Sequence, residues 1–123
     1  NHMSMKDNLS LFNEMSATGF ERLNNLGELN LKVWEKLADR QMDAINLMVD
    51  QGVRQMKLAT EVKGYGDFVK GQVDLVRETS ERLVTESKTN LQLAGEVRDD
   101  YRAWVQEGVS EFNAGVRKTS TLA

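Results

Sequence analysis

From Phe12 to Met56 the chain reads FNEMSATGFERLNNLGELNLKVWEKLADRQMDAINLMVDQGVRQM, and this stretch decides the fold. Its apolar residues return every eleven positions. Phe12, Leu23, Trp34, Ile45 and Met56 form one row. Met15, Leu26, Leu37, Met48 and Ala59 form a second, and Phe20, Leu31, Met42 and Val53 a third. Ser16, Gly27, Ala38 and Val49 add a row of mostly small residues beside them. Asn13, Asn24, Glu35, Asn46 and Lys57, with Glu21, Lys32, Asp43 and Arg54, make the opposite side polar. Eleven residues in three turns is about 3.67 per turn, so the apolar sector stays nearly straight along an α-helix. Such a helix would run roughly 75–90 Å at about 1.5 Å per residue. It cannot bury its own face and needs a partner helix, a second subunit or an apolar surface.

One row inside the sector is different: Gly19, Asn30, Gln41, Gly52 and Lys63. Buried amides at such positions hydrogen-bond across a helix pair and fix its register. Met15, Met42, Met48 and Met56 also lie in the sector, where flexible thioethers can fill a core or fit an irregular surface.

Outward from this stretch, the strongest interruption is Gly64-Tyr65-Gly66-Asp67. Two glycines favour a turn, and Asp67 suits an N-cap. The expected layout is a helix over about 5–63, a break at 64–66 and a helix over about 67–118, together one helical domain over 4–118. Residues 119–123 are expected to fray, and Asn1-His2-Met3 reads as a cloning scar. Gly95 and Gly108 are the places where the second helix would break if it broke. That helix carries a weak heptad: Val69, Val73, Val76, Ser80, Leu83, Ser87, Asn90, Ala94, Val97, Tyr101, Trp104 and Gly108. Its small or polar middle favours a multi-helix bundle over a tight two-stranded zipper. The fold class is therefore all-α: long amphipathic helices in an antiparallel hairpin or coiled-coil-like bundle, completed by oligomerisation.

The composition excludes much chemistry. The 123 residues hold no proline, no cysteine and one histidine, His2 in the scar. Without a native imidazole or thiol, Ser-His-Asp and Cys-His catalysis and the usual metal ligand sets have no donors. Gly64-Tyr65-Gly66 is too short for a phosphate loop and lacks its lysine. Asp99 and Asp100 are adjacent, so their side chains diverge on a helix. No catalytic, cofactor or metal site is expected. Sixteen basic residues face nineteen acidic ones, with no basic stripe in either half, so nucleic acid is a poor partner. No apolar run approaches the ~18 residues of a spanning helix, and no signal peptide precedes the helices, which points to the cytoplasm.

The segment Leu29-Asn30-Leu31-Lys32-Val33-Trp34-Glu35-Lys36-Leu37-Ala38-Asp39-Arg40-Gln41, continuing to Leu47, resembles a helix of the phasins, proteins of the bacterial polyhydroxyalkanoate granule surface. Glu61 to Gln72 is similar to that family's break and following helix, although many relatives carry a proline there and more alanine throughout. The resemblance implies a helical, oligomeric coat protein, dimeric or tetrameric, with no enzymatic role. Its partners would be the polyhydroxyalkanoate granule surface, further copies of itself and other granule proteins. It would limit granule coalescence and set granule size. The polymer- or partner-binding face would be Phe12, Met15, Leu23, Leu26, Trp34, Leu37, Ile45, Met48 and Met56. The bundle or oligomer interface would be Val69, Val73, Val76, Leu83, Val97, Tyr101 and Trp104. In this reading the apolar face is sheltered by helix packing in solution, and the helices reopen on polymer. The rival from the residues alone is a helical scaffold or adaptor that binds protein partners through a coiled coil.

Overall fold

A computed structural model describes residues 4–122, so Asn1–Met3, expected from the sequence to be a cloning scar, and Ala123 lie outside the described residues. Two helices account for nearly all of them: α1 (Met5–Glu61) and α2 (Tyr65–Leu122). Among the described residues there is no strand. Helix α1 starts on a reciprocal cap that sequence reading passed over. The Ser4 hydroxyl accepts from the Asp7 amide at 3.1 Å, and the Asp7 carboxylate accepts from the Ser4 amide at 3.4 Å. Two of the amides that a helix start leaves without partners are thereby satisfied.

The break comes two residues earlier than the glycine pair suggests. It spans 62–64, and Tyr65 and Gly66 already belong to α2. Gly64 has φ 157°, a conformation that side chains with a Cβ rarely adopt, so one glycine suffices to redirect the chain. Its carbonyl accepts from the Phe68 amide at 3.0 Å, the first hydrogen bond of α2. Gly64 is thus the cap residue. Asp67 sits inside the first turn, where its carboxylate faces the positive end of the helix dipole. Neither Gly95 nor Gly108 breaks α2, and the helix runs past Lys118 to Leu122.

The chain divides into two compact units, each built from a stretch of both helices. One contains α1 up to Trp34 and α2 from Glu96; the other runs from Glu35 to Gly95. In each unit the partners rise in number along α1 as they fall along α2, which defines antiparallel pairing.

In the Glu35–Gly95 unit, Leu47 is the one buried hydrophobic residue among those described, at 8% exposure. Around it the seam is largely polar. Arg40 donates to Asn90 Oδ1 at 2.7 Å, pairs with Asp43 at 3.0 Å and pairs with Glu86. The Thr79 hydroxyl lies 2.7 Å from Gln51 Oε1 and from the Leu75 carbonyl. Asp50 receives Arg54 at 3.1 Å and Arg82 at 3.3 Å, while Arg54 also reaches Glu78. The charges of Asp50, Arg54, Glu78 and Arg82, spaced as two i,i+4 pairs, are therefore joined across the helices. Near the turn, Leu58 packs onto Gly71 so closely that a Cβ there would overlap its Cδ1.

The other unit is closed by Arg22 and Trp104. The guanidinium lies 4.4 Å from the indole centroid and donates to the Trp104 carbonyl, while Trp104 Nε1 donates to the Arg22 carbonyl at 3.0 Å. Gly108 leaves the room the guanidinium occupies, since a Cβ there would stand 2.8 Å from Arg22 Nη2. Glu107 and Glu111 approach the same cation at 3.9 and 3.7 Å. The Tyr101 hydroxyl donates to Asn30 Oδ1, and Lys118 pairs with Glu14.

Candidate functional site

Within each unit, the residues of α1 that turn toward α2 are not the eleven-residue apolar rows. The half-buried positions up to Trp34 include Leu11, Thr18, Arg22, Leu29 and Val33; beyond it they include Lys36, Arg40, Gln51 and Leu58. The apolar rows lie to one side of this mixed seam and remain exposed. Phe12, Met15, Leu23 and Trp34 are exposed in one unit, and Leu37, Ile45, Met48 and Met56 in the other; Leu26 is half-buried. Trp34 stands at 70% exposure and Phe20 at 75%. Leu9 extends the Phe20, Leu31, Met42, Val53 row by one step, and the same spacing could have found it. Apart from Leu26, the large apolar side chains of these rows are therefore left exposed within the chain, and the seam itself combines hydrogen bonds and ion pairs with a few apolar contacts.

The α2 residues divide. Val97, Tyr101 and Trp104 are half-buried in the Arg22 unit, where Tyr101 and Trp104 make the hydrogen bonds described above. Val69, Val73, Val76 and Leu83 are exposed. The half-buried row in their unit is instead Phe68, Gln72, Leu75, Thr79 and Glu86, one residue earlier. The exposed stripe Val105, Val109, Phe112 and Val116 follows i, i+4, i+7, i+11 spacing. Beside it, between Leu11, Met15 and Phe112, a groove of about 410 Å³ opens over Gly19 and Gly115.

Chemically this is a surface, not a pocket with reacting groups. Monomeric soluble proteins rarely expose contiguous apolar patches beyond a few hundred Å², and larger ones mark interaction sites. Among the described residues, no three His, Cys, Asp or Glu side chains gather where a metal could sit. Among them, too, no helix is long and apolar enough to cross a membrane.

The sequence profile described as phasin protein matches residues 11–109, most of both helices. The chain belongs to the phasin family. Phasins are structural, granule-associated proteins rather than enzymes, and the family is tied to polyhydroxyalkanoate granules. An uncharacterized protein of Allochromatium vinosum is 47% identical over 117 residues, covering 95% of this chain and 98% of that protein. No solved structure matches this phasin.

Proposed function

We propose that this phasin coats polyhydroxyalkanoate granules in the cytoplasm by laying the exposed apolar rows of α1 on the polyester, and so limits coalescence and sets granule size. The observation that supports the reading is the outward placement of Phe12, Leu23, Trp34, Ile45 and Met56, on a helix whose half-buried side is a mixed polar and apolar seam. Removing apolar area from water is worth ~25 cal/mol per Å², so many such side chains adsorb firmly without a specific contact. The Glu, Asp, Lys and Arg side chains of the remaining faces stay in water and keep coated granules apart. The helices need not reopen to expose the face, because α2 does not cover it. In solution, further copies of the chain would cover it, as a dimer or tetramer, and the exposed Val69, Val73, Val76 and Leu83 offer a second surface for such contacts or for other granule proteins.

Purified protein mixed with polyhydroxybutyrate particles and, separately, phospholipid vesicles tests this reading. Retention on polyester is the expected outcome. No retention would sink it, and a stoichiometric complex with a protein partner instead would favour the scaffold reading.

A further inference from the structure

The chain has six methionines, and every one precedes Gly64, leaving α2 without any. Three stand in the Glu35–Gly95 unit: Met42, Met48 and Met56, at 56, 74 and 69% exposure. All three belong to the apolar rows, interleaved with Ile45, Val49 and Val53, and none lies in the polar seam with α2. Leucine would give the same apolar area with a better-defined shape. A thioether adds one property that leucine lacks: its sulfur accepts an oxygen atom, and an exposed sulfur does so readily.

We propose that Met42, Met48 and Met56 are an oxidation site through which peroxides weaken the adsorption of the α1 face. The proposal rests on the granule-coating reading above. In each step the peroxide O–O bond breaks and one oxygen is transferred to Sδ. The thioether is oxidised by two electrons to the sulfoxide, and the peroxide is reduced, its other oxygen leaving as water. The sulfoxide carries a strong S=O dipole that is hydrated in water and must be stripped of that water on polyester. Three such groups along about four turns of α1 turn an exposed part of the face polar. The seam that pairs α1 with α2 is untouched, so the helices persist and only the binding changes. Sulfoxides are reducible enzymatically, so the change is reversible.

The test treats the full chain with hydrogen peroxide, counts sulfoxides on each methionine by peptide mass, and measures retention on polyhydroxybutyrate particles with helix content followed by circular dichroism. All three sulfurs should oxidise in the folded protein. Retention should fall roughly tenfold with helix content unchanged. A Met42→Leu, Met48→Leu, Met56→Leu variant should lose far less retention on peroxide treatment, the residual loss coming from Met15 on the same face. No oxidation of the three sulfurs in the folded protein, undiminished retention of the oxidised protein, or a loss of retention in the leucine variant as large as in the unaltered chain would each overturn the proposal. Failure of the untreated protein to bind polyester is a different result: it removes the granule-coating reading and this inference with it.

Discussion

Gly64 has the backbone conformation on which the return of the chain depends. Replacing it with alanine places a Cβ in a sparsely populated backbone region that costs about 1–3 kcal/mol for residues other than glycine. Thermal unfolding of Gly64→Ala should show that loss. Gly27 and Gly52 are the counter-case, since a Cβ at either meets nothing within 4 Å and the helix around it is regular. Gly27→Ala and Gly52→Ala should each raise stability by roughly 0.5–1 kcal/mol, the helix preference of alanine over glycine. A lower melting temperature for either would show that the glycine is needed against a second chain. Arg22→Ala removes the stacked cation and the donor to the Trp104 carbonyl, and should destabilise by about 1–3 kcal/mol.

At the scale of the element, the two helices are paired by a thin seam. Leu47→Ala should cost about 2–3 kcal/mol, because it empties the one buried apolar position described. Leu91→Ala, at 73% exposure, should stay within ~0.5 kcal/mol. The Asp50, Arg54, Glu78 and Arg82 network is exposed, and such pairs are worth about 0–1 kcal/mol each. Unfolding midpoints measured from low to high salt should therefore move little. The helices themselves were legible in the sequence. Eleven-residue rows mark α1 as one uninterrupted helix, and the Gly64 region marks the turn. What the pattern could not tell was which side of each helix meets the other. A search for the most apolar stripe selects Val69, Val73 and Val76 as the seam of α2. The α2 residues half-buried in the Glu35–Gly95 unit instead include Phe68, Gln72, Leu75, Thr79 and Glu86: Thr79 and Glu86 answer Gln51 and Arg40 across from them, and Phe68 and Leu75 bring apolar bulk to the same side. In the Arg22 unit the stripe and the seam coincide at Val97, Tyr101 and Trp104, where aromatic bulk and hydrogen bonding sit on the same residues.

For the whole molecule, the functional point is how the apolar residues divide: a few, among them Leu47, Leu58 and Leu75, join the polar groups between α1 and α2, and most of the eleven-residue rows of α1 are left for something else. A sequence can state that an apolar sector exists, but its destination depends on the neighbouring helix, which here leaves it uncovered. Trp34 and Trp104 report on the two sides separately, since Trp34 is exposed in the apolar row and Trp104 is engaged with Arg22. The most direct measurement is tryptophan emission on adding polyhydroxybutyrate particles to two single-tryptophan variants. With Trp104→Phe, the remaining Trp34 should shift to the blue as it enters the polyester interface; with Trp34→Phe, the emission of Trp104 should hold. Protein that is retained on the particles while Trp34 emission stays unchanged would contradict the assignment of this face.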